Sequence, residues 1–152
     1  MQFYSSMQDP DRDLQVVEIL VSTWAMLARS DAGIKAALAA DFPSICIDLA
    51  KSAIKNIEQG VSSWSMCQRC SEFLRQLSHE ERGKIAIRES KGIPVLARML
   101  QCSDEKTVAN SVDALMGITI DAEGKVQTVQ VRVAIFGCSL PGMEALFAPH
   151  FR

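Results

Sequence analysis

The sequence has 152 residues, the usual length of one domain, and 48% of them are hydrophobic, which is enough for a continuous core. Its formal net charge of −2 excludes the strongly basic surface of a nucleic-acid-binding protein. We also expect no membrane span, because the longest apolar stretch is interrupted by Lys35, Asp41, Pro43 and Asp48.

The N-terminal residues lack the basic and apolar segments of a signal peptide, so we expect a cytoplasmic protein. In that compartment the five cysteines should be reduced and should act as small apolar side chains.

Three glycines, Gly33, Gly83 and Gly124, mark a repeat along the chain. They are 50 and 41 residues apart, and the second interval is typical of armadillo and HEAT units. A good helix N-cap lies twenty residues before each glycine, at Asp13, Ser63 and Asp104. Apolar residues then recur with helical spacing. We therefore predict that residues 1–125 are helical repeats, with long helices over about 14–30, 64–79 and 105–120.

A proline follows each of the first two glycines, at Pro43 and Pro94. Because proline fits the first turn of a helix, we predict a middle helix over residues 44–55 and another over 95–102. Residues 56–63 then account for the longer first interval.

The repeat pattern breaks after Lys125. Residues 126–136, VQTVQVRVAIF, alternate partly like a strand, and Pro141-Gly142 signals a turn. A strand and a distorted short helix are both possible interpretations of this segment. We favour the helix because a single strand has no hydrogen-bonding partner. We predict an irregular or partly helical tail over 126–152. The predicted fold is all-α, a short armadillo- or HEAT-like α-solenoid with an irregular C-terminal tail.

Several segments together resemble an armadillo repeat: KGIPVLARML at 91–100, SDE at 103–105, VAN at 108–110 and EGK at 123–125. Within that superfamily, the pattern VAN-x3-ALM-x2-T-x3-EGK over 108–125 is similar to the armadillo-like radial-spoke protein of motile cilia and flagella. The superfamily resemblance extends over about residues 14–125. The chain departs from the family because it opens on a long helix and ends irregularly.

The resemblance implies that the long helices line a concave surface. Nuclear-import adaptors of this fold bind basic peptides through tryptophan and asparagine four residues apart, and the equivalent positions here lack both, so that role is disfavoured. Positions 18, 14, 11 and 7 before each glycine share one helical face, and we call them the concave stripe. The stripe consists of Gln15, Ile19, Ser22, Met26, Ser65, Arg69, Glu72, Gln76, Lys106, Asn110, Asp113 and Gly117. A protein-binding surface and an ordinary solvated face both remain open.

No motif indicates catalysis. Cys67 and Cys70 match CxxC, but both fall at predicted core positions and no second ligand pair completes a zinc site. Neither His79 nor His150 has a neighbouring Cys or Ser arrangement that suggests a nucleophile with its base, and no GxGxxG or P-loop pattern occurs. We therefore expect no catalytic residue, metal, cofactor or small-molecule substrate.

The predicted function is a non-enzymatic structural scaffold or adaptor that is a subunit of a larger assembly. Repeats bury their apolar faces only against neighbours. The first long helix has little chain before it to cover its apolar residues, Val16, Val17, Ile19, Leu20, Trp24, Met26 and Leu27. We expect protein partners to contact the exposed helical ends, and the resemblance implies the radial spoke of a ciliary axoneme. The alternative is a soluble cytoplasmic adaptor that binds a peptide segment on its concave face.

Overall fold

The computed structural model describes residues 10–60, 64–120 and 122–136, and most of them are in α-helices. No strand occurs in these ranges, and no helix within them is long and apolar enough to cross a membrane. In chain order the helices are α1 (Pro10–Leu27), α2 (Asp31–Ala39), α3 (Phe42–Glu58), α4 (Ser65–Leu77), α5 (Glu81–Glu89), α6 (Gly92–Met99), α7 (Glu105–Ile118) and α8 (Ala122–Phe136).

The helices repeat in groups of three, and we call the first, second and third helix of each group the short, middle and long helix, although α3, with 17 residues, exceeds the 13 of α4. One unit consists of α2, α3 and α4, and the next of α5, α6 and α7. The long helices α1, α4 and α7 end at Leu27, Leu77 and Ile118, which are spaced 50 and 41 residues apart like the three glycines. α1 is thus the long helix of a preceding position, and α8 begins where a third short helix is due. The fold is the predicted all-α, armadillo-like solenoid.

Gly33 and Gly83 each lie at the third residue of a short helix, where the chain turns sharply out of a long helix. A Cβ atom at Gly33 would lie 1.8 Å from the carbonyl oxygen of Leu27, and one at Gly83 would lie 2.1 Å from that of Leu77. Glycine is therefore required for the short helix to start against the last carbonyl of the long helix. At the first junction, Ser30 Oγ also accepts a hydrogen bond from the Gly33 amide at 3.1 Å.

The middle helices begin after a residue in the left-handed conformation. Asp41 has a φ of 51°, and Lys91, at the equivalent point of the next unit, has a φ of 58°. This conformation reverses the chain between the short and middle helices, and Pro43 then occupies the first turn of α3, as predicted. α3 continues to Glu58 and so takes up part of the longer first interval.

The long helices lie side by side, with α4 between α1 and α7, and the middle helices α3 and α6 pack against them. Aromatic rings join three of these helices. Trp24 stacks on Phe42 with 4.9 Å between ring centroids, and Phe42 meets Phe73 edge-on at 4.9 Å. Burial of these and other apolar side chains supplies the main stabilisation of the stack.

The predicted start of a long helix is confirmed at Asp104. Its carboxylate accepts hydrogen bonds from the amide of Thr107 at 2.8 Å and from the Thr107 hydroxyl at 2.7 Å. The prediction for Asp13 is wrong, because α1 begins earlier, at Pro10, where proline is again tolerated in the first turn. Ser63 lies outside the described residues.

Residues 126–136 are helical, so the predicted start of the tail falls inside α8 and the strand interpretation is wrong. A helix satisfies its own backbone hydrogen bonds, and packing of α8 against α6 outweighs the β-propensity of its valines. The remainder of the predicted tail, residues 137–152, lies outside the described part of the chain.

Candidate functional site

The concave stripe runs along α1, α4 and α7, and its three parts differ in exposure. Three of its four positions are exposed on α1, one is exposed on α7, and none is exposed on α4. The exposed members are Gln15, Ile19, Met26 and Lys106, and the partly buried members are Ser22, Ser65, Arg69, Glu72, Gln76, Asn110, Asp113 and Gly117. The stripe is therefore most open on α1.

Two stripe residues of α4 bind α1 and the residues that follow it. Ser65 Oγ donates a hydrogen bond to Glu18 Oε2 at 2.9 Å. Further along, Glu72 Oε1 lies 3.5 Å from Arg29 Nη2. The carboxylate of Glu72 therefore already has a cationic partner within the chain.

Three stripe residues of α7 contact α4 in the same way. The contacts are Asn110 Nδ2 to Ser71 Oγ at 3.3 Å, Asp113 Oδ2 to Arg75 Nη1 at 3.5 Å, and a close approach of Gly117 to the Ser78 carbonyl. Because the partners advance together along both helices, α4 and α7 are parallel. Much of the predicted binding stripe thus holds neighbouring long helices at a defined register.

A second set of positions, 17, 13, 10 and 6 before each glycine, forms what we call the leading face of a long helix. On α4 and α7 all of these residues are buried, whereas on α1 all are exposed. The buried residues are Met66, Cys70, Phe73, Leu77, Thr107, Ser111, Ala114 and Ile118, and the exposed ones are Val16, Leu20, Thr23 and Leu27.

The contrast follows from the middle helices. Phe73, on the leading face of α4, packs against Phe42 of α3 in the same unit, and α7 likewise packs against α6. α1 has no middle helix of its own among the described residues, so its leading face meets solvent. The open face is nevertheless narrower than predicted, because Val17 and Trp24 pack against the core.

A third set, 12, 8 and 5 positions before each glycine, forms the trailing face. On α1 these residues are buried beside α4, and on α4 they make the contacts with α7 described above. On α7 the first two, Val112 and Met116, are exposed, and Thr119 is partly buried. This apolar patch is not among the predicted site residues, although counting the same offsets back from Gly124 finds it.

A groove of about 140 Å³ lies between α1 and α3. Leu14, Val17, Leu49 and Met66 form its apolar walls, and Glu18 lies among the polar residues at its margin. Its size suits a single apolar side chain of a partner, the kind of anchor that dominates protein interfaces.

The cysteines of the CxxC pattern are buried, as their helical spacing predicts. Cys67 and Cys70 have no exposed surface, and Cys46 Sγ donates to the carbonyl of Cys70 at 3.8 Å. Burial raises the pKa of the Cys67 thiol to about 12, so this side chain stays protonated at neutral pH. The described residues include no group of three or more side chains arranged to hold a metal ion.

Residues 80–115 match the family model of the armadillo/beta-catenin-like repeat. The match spans α5, α6 and most of α7, which is the second unit of the solenoid. No curated protein matched the sequence. The family match supports the armadillo superfamily, whose repeats generally mediate protein–protein interactions.

Proposed function

We propose that this chain is a non-enzymatic scaffold that joins a larger protein assembly through the leading face of α1. One observation carries the proposal: α4 and α7 bury this face, whereas α1 exposes Val16, Leu20 and Leu27 on it. Removing apolar surface from water is favourable by about 25 cal/mol per Å². A partner that covers these side chains therefore gains binding free energy without any conformational change in the solenoid.

The same comparison indicates the chemistry of the partner. The leading face of α4 packs against a helix, α3, through an aromatic contact between Phe73 and Phe42. By analogy, the partner of α1 presents an apolar helix in the place of a middle helix. The groove between α1 and α3 can accept one of its side chains as an anchor.

A matched pair of substitutions tests this role. Leu20→Glu places a charge on the leading face at a residue 52% exposed, and Ile45→Glu places one on α3 at a residue 49% exposed. We expect Leu20→Glu to lower the recovery of cross-linked partners at least tenfold, about 1.4 kcal/mol of binding free energy, and Ile45→Glu to leave it unchanged. The measurement is quantitative mass spectrometry after cross-linking in cells. Equal recovery with all three chains would contradict the proposal.

The proposed setting of the scaffold is the radial spoke of a ciliary axoneme, and the only support is the similarity of residues 108–125 to the radial-spoke protein. A fluorescently tagged chain expressed in a ciliated cell should then concentrate along the axoneme. A diffuse signal would remove this setting while leaving the scaffold role in place.

A second candidate is an adaptor that binds a basic peptide segment on the concave stripe. The observation in its favour is that Glu72 and Asp113 place carboxylates on adjacent long helices, and the side chain of Asp113 remains 46% exposed. Charge reversal of both residues should weaken peptide capture, as measured by fluorescence anisotropy with a lysine-rich peptide. Unchanged capture would exclude this site.

A further inference from the structure

We propose that copies of this chain stack head to tail, with the trailing face of α7 in one copy packed against the α1 stripe of the next copy. This goes beyond the proposed function, because it uses a different side of α1 from the leading face. It also names the occupant, which is a second copy of the same chain.

The chain itself contains the template for this contact. In the α4–α7 pair, the trailing residues Ser71, Arg75 and Ser78 meet stripe residues 14, 11 and 7 positions before the next glycine. The α1–α4 pair runs in the same direction, since Ser65 binds Glu18 and Glu72 binds Arg29 further along both helices. Two successive long-helix contacts thus run in the same direction and bury the trailing face of the earlier helix, and the α4–α7 pair supplies the register.

Continuing that geometry beyond α7 predicts a register between copies. The trailing residues of α7 would meet the corresponding stripe residues of the next α1, as three pairs: Val112 with Ile19, Met116 with Ser22, and Thr119 with Met26. None of these six residues is charged, so the contact buries no unpaired ion.

The α1 stripe and the trailing face of α7 are more apolar than the contact between α4 and α7, as stacking requires. Between α4 and α7 the pairs are polar, for example Arg75 with Asp113. At the two open ends the equivalent positions are mainly apolar, and Ile19, Met26 and Met116 are 64%, 66% and 64% exposed. Apolar side chains on both complementary faces favour association of one with the other.

This contact is heterologous, because each copy contributes a different face. A heterologous contact does not close on itself unless the rotation per copy completes a ring, so it adds copies in series. A contact between two α1 helices would instead be isologous and would stop at two copies. The two modes therefore differ in stoichiometry.

Sedimentation velocity of the purified 152-residue chain, from about 1 to 100 µM, tests the proposal. We expect the weight-average mass to rise with concentration beyond two copies. Met26→Glu removes the α1 surface and Met116→Glu removes the α7 surface, at residues of nearly equal exposure. Each variant alone should be monomeric, and Ile45→Glu should stack like the parent chain.

Mixing the two variants gives the most discriminating result. Met26→Glu retains an intact α7 face and Met116→Glu retains an intact α1 face, so an equimolar mixture should form a 1:1 dimer that adds no third copy. A monomeric mixture would overturn the proposal. Self-association of Met116→Glu alone at the parent strength would overturn it in favour of an isologous α1 contact, and a parent chain that is monomeric throughout would also overturn it.

A second measurement does not depend on charged variants. A chain with Val112→Cys, mixed with one carrying Ile19→Cys and oxidised with diamide, should form an intermolecular disulfide, whereas Ile45→Cys in place of Ile19→Cys should not. Equal cross-linking of both would contradict the predicted register. If Leu20→Glu abolishes partner recovery in cells while the purified parent chain is monomeric, stacking fails and the scaffold role stands. If the purified parent chain stacks while Leu20→Glu leaves partner recovery unchanged, the scaffold role of the leading face fails and stacking stands.

Discussion

Leu27 and Leu77 end the first and second long helices at the same position of the repeat, yet Leu77 is fully buried and Leu27 is 47% exposed. The two helices run in the same direction and have the same glycine-dependent exit. What differs is the neighbour: α4 has α3 behind its leading face, and α1 has no equivalent helix among the described residues. In a solenoid, the position of a residue within its repeat determines which way its side chain points. Whether that side chain is buried depends on the adjacent helix.

Truncation of the two leucines should give the largest effect. Leu77→Ala leaves a cavity in a packed core and should lower the free energy of unfolding by about 2–5 kcal/mol. Leu27→Ala should change it by less than about 1 kcal/mol, because about half of the residue is already exposed to solvent. Urea denaturation followed by circular dichroism measures both. Similar losses for the two variants would mean that the leading face of α1 is covered in the isolated chain.

The two glycine junctions should, by contrast, respond alike. Gly33→Ala and Gly83→Ala both direct a methyl group at a carbonyl oxygen, that of Leu27 or Leu77, so the short helix must shift. We expect each variant to lose about 1–3 kcal/mol in the same denaturation experiment. A neutral Gly33→Ala beside a costly Gly83→Ala would show that the first junction is looser than the second.

The parts of the fold that were predictable from sequence are those that depend on spacing and local chemistry. Helical periodicity located the long helices, the proline rule located Pro43 in a first turn, and core spacing predicted the burial of Cys67. The reason for the glycines was not predictable, because the clash with Leu27 involves a carbonyl whose position follows from the folded junction.

For the candidate site, the sequence predicts which residues share a helical face but not which partners they contact. Counting from the glycines placed Glu72 and Asp113 on one face, but their partners Arg29 and Arg75 are set by the packing of adjacent helices. For residues 126–136 the favoured helix is confirmed, but its start at Ala122 was not predicted, since packing against α6 stabilises a helix where the valine-rich sequence alternates like a strand.

The starts of the long helices offer a third comparison. Asp104 caps α7, whereas α4 begins without a side-chain cap, so Asp104→Ala should cost about 0.5–2 kcal/mol. Hydrogen bonds from the Thr107 side chain and amide lower the pKa of Asp104 below its usual value. This stabilisation is therefore complete above the unfolded-state pKa and is lost as the pH falls through the lower folded-state pKa. Asp104→Asn should remove this pH dependence from unfolding curves; an unchanged acid limb would contradict it.

The starts of the short helices also differ in side-chain capping, but the expected effect on stability is smaller. Ser30 caps α2 through the Gly33 amide, and Glu80, at the equivalent position before α5, makes no such bond. Glu80→Ser should stabilise the chain by about 0.5 kcal/mol, less than a full cap because the Glu80 charge already favours the helix N-terminus. Differential scanning calorimetry measures the gain, with Glu80→Ala as the control without a hydroxyl. Equal melting temperatures for the two variants would show that the hydroxyl is not accepted as a cap.

The smallest effect belongs to the ion pair that joins the two compared helices, Arg29 with Glu72. The Arg29 side chain is 60% exposed, so its contribution should be about 0.3 kcal/mol and should fall as salt is added. A double-mutant cycle with Arg29→Glu, Glu72→Arg and the charge-swapped double variant isolates this coupling. The charge-swapped double variant restores the ion pair but places a positive charge on the stripe at position 72. If the swapped chain regains stability yet captures a basic peptide less well, Glu72 serves both the helix contact and the stripe. If it regains both, the pair is a packing contact alone, and the open surface of α1 is left as the better candidate for partner binding.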